Sequence, residues 1–86
     1  MERAECSLLL DYYGPLLTDR QRECCELYYN EDLSLSEIAE LKGISRQAAR
    51  DNIKNGSARM KDIEEKTGLI KRIQELEWRL KAYQTN

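Results

Sequence analysis

Histidine and phenylalanine are absent from this 86-residue chain, proline occurs once and glycine four times. Without histidine, the commonest general base and metal ligand is missing. There is no glycine-rich phosphate loop and no nucleophile beside a base at a recognisable spacing, so an enzyme has no support. The three cysteines, Cys6, Cys24 and Cys25, are odd in number and show no C-x-x-C spacing. Ligands at zinc spacing are lacking, so neither a metal nor a cofactor is expected. The thiols are expected to be reduced and to serve as small core residues. No apolar run long enough to span a bilayer and no signal-peptide pattern is present. These absences predict a cytoplasmic protein with no membrane insertion and no small-molecule substrate.

What remains is rich in charge, at 35 %, and low in turn residues, which favours helix. The net charge is −2, but its distribution is uneven. Residues 1 to 41 hold ten acids and three bases. Residues 42 to 61 hold Lys42, Arg46, Arg50, Lys54, Arg59 and Lys61 against Asp51 alone. A basic stretch of this kind is an electrostatic footprint for phosphate. Pairing of those cations with nearby acids is the bland alternative.

The basic stretch overlaps a helix-turn-helix pattern at residues 34 to 59. Ser34 and Glu37 make an S-x-x-E capping box. Leu35, Ile38, Ala39 and Leu41 supply an apolar stripe on a short helix. Gly43 ends that helix, because glycine adopts positive φ without a Cβ penalty. Ile44 fills the turn and Ser45 caps the second helix, expected from Arg46 to about Lys66. Ala49, Ile53, Gly56, Met60 and Ile63 recur on its inner face. Arg46, Gln47, Arg50 and Lys54 stand on the outer face, as reading the DNA major groove requires. Arg46, Gln47 and Arg50 are the candidate base readers, and Lys42, Ser45 and Lys54 the candidate phosphate contacts. Mid-helix Gly56 suggests close packing, expected against Tyr12–Tyr13.

Upstream, Cys6, Leu9, Leu10 and Tyr13 recur at helical spacing over residues 2 to 13, and Gly14-Pro15 ends that helix. Thr18 and Gln21 form another capping box, and Cys24, Cys25, Leu27 and Tyr28 supply the next buried face. Asn30-Glu31-Asp32 is expected to turn. Downstream of Thr67-Gly68, Leu69, Ile73, Leu76, Leu80 and Tyr83 form a seam of period 3.5, widened by Ile70 and Trp78. Leu69, Ile70, Ile73, Leu76, Leu80 and Tyr83 are the candidate dimer interface; docking over the first helix is the rival. The chain thus divides into a helix-turn-helix domain over residues 1 to 66 and a terminal helix over 69 to 84 that is not a domain of its own.

The strings Leu17-Thr18-Asp19-Arg20-Gln21, Glu26-Leu27-Tyr28-Tyr29, Asp32 to Ala39, Gly43 to Ala48 and Asp51-Asn52-Ile53-Lys54 resemble the YlxM family. These are small bacterial proteins encoded beside the signal recognition particle GTPase, and they resemble region 4 of sigma factors. The resemblance implies a four-helix fold with a helix-turn-helix; with the amphipathic fifth helix read from the seam behind it, the chain is expected to be all-α. It also implies binding to double-stranded DNA and a regulatory link to the signal recognition particle pathway. Arg46 and Gln47 match the sigma pattern, whereas Asp51 stands where that pattern has glutamine and Asn52 where it has an aliphatic residue. Two functions compete. One is a homodimeric DNA-binding transcriptional regulator. The other is an adaptor or modulator of the signal recognition particle, with no specific DNA binding.

Overall fold

The computed structural model describes residues 3–84. Helices and turns account for its regular structure, with no strand among the described residues. α1 spans Arg3–Tyr13, α2 Asp19–Cys25, α3 Leu35–Lys42, α4 Arg46–Thr67 and α5 Leu69–Gln84. The chain therefore has the expected all-α fold. The expected start of α1 at residue 2 lies outside the described residues.

Each boundary has a local cause. Gly14-Pro15-Leu16 forms a 3₁₀ turn, since proline has no N–H to continue α1. At Thr18 the capping box closes: Thr18 Oγ1 accepts the Gln21 amide and Gln21 Oε1 accepts the Thr18 amide, both at 3.2 Å. α2 does not stop at Cys25. It loosens into a π-helical turn over Glu26–Asn30. The expected turn at Asn30-Glu31-Asp32 starts correspondingly late, with Asp32 in the left-handed region at φ 59°. Aspartate tolerates that region better than most residues. Arg3 secures this bend: its guanidinium donates to the Tyr28 carbonyl, lies 5.1 Å from the Tyr28 ring centre and pairs with Asp32 at 3.3 Å.

α4 carries 22 residues, a rod of about 33 Å, and divides the core in two. Ala49 and Ile53 in its first half pack with Cys24, Ile38 and Ala39. Met60 in its second half packs with Leu9, Leu10, Tyr13, Leu17, Cys25 and Ile70. All three cysteines are buried. Burial pushes the Cys25 thiol up to about 12, which keeps it protonated and unreactive. Gly56 is a close-packing point, but against α2 rather than Tyr12–Tyr13. A Cβ there would lie 2.8 Å from Cys25 Sγ and 3.5 Å from Leu17 Cδ1. Tyr13 instead meets α4 two turns later, donating to Glu64 Oε1 at 2.5 Å.

Glu64 also ends the fold. Gly68 takes φ 61°, and its amide returns to the Glu64 carbonyl at 2.7 Å, an αL helix end. α5 restarts at once, and the Glu64 carboxylate accepts its Ile70 and Lys71 amides at 3.0 and 3.2 Å. One side chain thus caps the next helix and ties α1 to both. These donors hold the Glu64 carboxyl below its ordinary value, Tyr13 most of all. Ile70 is 4 % exposed and joins the core. The rest of α5 leaves it, and the described chain measures 53 × 25 × 20 Å. No described helix is long and apolar enough to cross a membrane.

Candidate nucleic-acid interface

α3, a three-residue turn and α4 form the helix-turn-helix. The Ser34 cap works in both directions: Ser34 Oγ accepts the Glu37 amide at 3.1 Å, and Glu37 Oε1 accepts the Ser34 amide at 2.9 Å. These bonds from Ser34 lower the Glu37 carboxyl. Gly43 sits at φ 65°. Its amide bonds to the Glu40 carbonyl at 3.4 Å, and the Ile44 amide to the Ala39 carbonyl at 3.0 Å. That pair is a Schellman end, and Ile44 packs onto the Ala39 cluster as such an end requires. Ser45 Oγ then accepts the Ala48 amide at 3.0 Å, starting α4. Buried Ala39 and Ala49 sit where the two helices meet, so little side chain separates them.

The expected stripe on α3 needs one correction. Leu41 is exposed. Helical period places Leu35, Ile38, Ala39 and residue 42 on one face, and residue 42 is lysine. Lys42 is accordingly half-buried, and its ammonium lies 2.7 Å from Glu23 Oε2 on α2. The lysine holds the Glu23 carboxyl below its usual range. This candidate phosphate contact thus joins α3 to α2.

The other candidates emerge on α4. Arg46, Gln47, Arg50 and Lys54 are exposed, and among the described residues no ion pair engages Arg46, Arg50 or Lys54. Arg46, Arg50 and Lys54 follow one another at four-residue steps, a ridge of cations about 12 Å long. Arg50 and Lys54 border a shallow groove with Tyr28, Tyr29 and Leu35. Gln47 donates its amide to Asp51 Oδ1 at 2.9 Å. Asp51 therefore orients Gln47 rather than neutralising Arg50 or Lys54. That bond leaves Gln47 one N–H and its carbonyl oxygen for a base edge. Ser45 uses its oxygen as acceptor in the cap, which leaves its hydroxyl hydrogen free to donate.

Two supporting contacts lie beyond what the sequence pattern indicated. Tyr29, brought inward by the π turn, meets Ser57 Oγ at 2.8 Å, while Ser57 donates to the Ile53 carbonyl at 2.8 Å. Arg59 Nε donates to the Leu16 carbonyl at 3.2 Å, which fixes one of the six bases of the stretch to the 3₁₀ turn. Long side chains from distant segments carry no periodic signal, so neither contact was legible.

The candidate dimer residues separate. Ile70 faces the chain's own core and is withdrawn from any interface, because α5 begins against Leu9 and Met60. Ile73 is half-buried, and Leu69, Leu76, Leu80 and Tyr83 are exposed. Trp78, 73 % exposed, lies beside Lys71, Gln74, Glu75 and Arg79. At 100° per residue it stands opposite the seam, so it does not widen it. Contact of α5 with α1 is confined to its first turn and a half, which borders a cleft shared with Glu5, Leu8 and Leu9.

Comparison with known proteins agrees with this geometry. The family model described as "Putative helix-turn-helix protein, YlxM / p13 like" matches residues 1–85. A relative in Thermoanaerobacter sp. strain X514 is 53 % identical over 70 residues, covering 81 % of this chain and 60 % of its own. One in Acetivibrio thermocellus is 58 % identical over 66 residues, covering 77 % and 56 %. One in Clostridium perfringens strain SM101 is 52 % identical over 71 residues, covering 83 % and 63 %. The chain spans about three-fifths of the length of these curated relatives. With the helix-turn-helix built as described and the match running through it, the chain belongs to the UPF0122 family of YlxM/p13-like helix-turn-helix proteins.

Proposed function

We propose that this chain is a cytoplasmic, non-enzymatic regulator that binds double-stranded DNA through α4, two copies together presenting two recognition helices. The observation that carries it is the ridge Arg46, Arg50 and Lys54, exposed on the first turns of a capped helix and in no ion pair among the described residues. Arg46, Gln47 and Arg50 read base edges in the major groove. Lys54 and the Ser45 hydroxyl contact phosphate, helped by the positive end of α4. Lys42 reaches phosphate only by leaving Glu23, so its share is the smallest.

A selection from random duplexes followed by titration tests this. Arg46→Ala is expected to weaken the selected site by about 1–3 kcal/mol and to relax one base position. Lys54→Ala is expected to weaken all duplexes alike and to lower the salt slope by about one. Wild-type binding by both variants would refute the assignment of α4.

One observation favours the second function, an adaptor acting on the signal recognition particle, the partner that the YlxM resemblance suggests. Two of the six candidate DNA contacts, Lys42 and Gln47, already bond to carboxylates of the same chain. Under that function no duplex is enriched, and binding to a signal recognition particle preparation persists when Arg46 and Arg50 are both replaced by alanine.

A further inference from the structure

We infer that α5 pairs with α5 of a second copy in parallel and in register, so that both helix-turn-helix units lie at the same end of the pair. This rests on the two-copy function proposed above and adds the orientation. Five of the large exposed apolar side chains fall on this one helix: Leu69, Leu76, Trp78, Leu80 and Tyr83. Four of them, with half-buried Ile73, form the 4-3-4-3 seam. In heptad terms Ile73 and Leu80 occupy a positions, and Leu69, Leu76 and Tyr83 occupy d positions. The positions beside the seam then follow: Arg72 and Arg79 at g, Ile70, Glu77 and Gln84 at e.

Those flanks choose the occupant and its direction. In a parallel pair, g of one helix faces the following e of the other. Arg72 then meets Glu77 of the second copy, twice by symmetry, and Arg79 meets uncharged Gln84. In an antiparallel pair g faces g, which sets Arg72 against Arg79 twice, and e faces e, which sets Glu77 against Ile70. Ile70 is buried in its own core and cannot answer. One arrangement gains two ion pairs and the other two like-charge contacts. Among the described residues the one ion pair of Arg72 is a long 3.7 Å contact with Glu75, so it is available. The core-facing side of α5, marked by Ile70, lies about 100° around the helix from Leu69. A partner on the seam therefore does not collide with the chain's own α1.

Direction has a functional consequence. α5 has 16 residues, so an antiparallel pair would hold the two units about 24 Å apart at opposite ends. A parallel pair joins them at the Gly68 end. The Glu64 carboxylate fastens α5 to α4 there through the Ile70 and Lys71 amides. The recognition helices are then held symmetrically about one axis, as a dyad DNA site demands.

Cross-linking the full chain through Gln84→Cys tests the orientation. The native cysteines are fully buried, so wild type supplies the uncross-linked control. In a parallel pair the two new thiols are neighbours, and a short bis-maleimide is expected to convert most of the protein to a covalent dimer. In an antiparallel pair they stand roughly 25–30 Å apart and no such product forms. Glu31→Cys, outside α5 and its seam, is expected to stay monomeric under the same treatment. Arg72→Glu is expected to remove the dimer at concentrations where wild type shows it. Restoring it with Glu77→Arg in the same chain would identify the contact. A sedimenting dimer that Gln84→Cys does not cross-link overturns the parallel orientation while leaving dimerisation intact. A wild type that sediments as a monomer at high micromolar concentration overturns dimerisation itself.

Discussion

α4 and α5 are both long amphipathic helices, and α5 has the cleaner apolar seam. Yet α4 buries Ala49, Ile53, Gly56, Ser57 and Met60, while α5 buries Ile70 alone. The difference lies in small residues and backbone fit. α4 carries Ala49 and Gly56, which admit α3 and α2 closely. α5 carries leucines and aromatics that the other described segments leave exposed. An apolar stripe states that a face needs cover; it does not state which surface provides the cover.

The contrast can be broken most sharply by truncation. Met60 is fully buried, and Met60→Ala should cost about 2–5 kcal/mol in denaturant unfolding. Leu80→Ala, on the uncovered seam, should change the stability of dilute protein by less than about 0.5 kcal/mol. A large loss from Leu80→Ala in dilute solution would mean that α5 is covered within its own chain.

A smaller effect is expected at Gly56. Helix propensity alone predicts a gain of about 1 kcal/mol for Gly56→Ala. The 2.8 Å approach to Cys25 Sγ sets against it an overpacking cost of about 1–3 kcal/mol. The net is a loss of about 0–2 kcal/mol. In a Cys25→Ala background the same change should turn neutral or stabilising, which a double-mutant cycle of thermal melts would read.

The smallest effect concerns the joint between the two helices. The folded Glu64 carboxyl is held below its ordinary value by the Tyr13 hydroxyl and the Ile70 and Lys71 amides. Its contribution is therefore fully present above that value and is lost as pH falls through the lower folded value. Hydrogen exchange at the Ile70 and Lys71 amides should accelerate in that acidic window, beyond the intrinsic pH trend. Glu64→Gln should remove the pH response while leaving α1 to α4 protected. Unchanged exchange in both cases would show that Glu64 does not hold α5.

Much of the fold was legible because its signals are local. Ser34 with Glu37, Thr18 with Gln21, Gly43 and Gly68 each act on neighbours within a few residues, and each closes as its type requires. The candidate DNA face was legible for the same reason: exposure of Arg46, Arg50 and Lys54 follows from the period of α4. The π turn was not. An extra residue in a turn leaves no pattern in composition, and it moved Tyr29 toward Ser57.

Sequence alone determined the helices, their caps, the buried state of the three thiols and the identity of the basic ridge, since these depend on residue type and helical period. Tertiary structure decided which neighbour each side chain serves. It gave Lys42 to Glu23, Gly56 to Cys25 and Tyr13 to Glu64. It also took Ile70 from the seam into the core. Those outcomes depend on the angle at which helices cross, and that angle is set by packing among segments far apart in the chain.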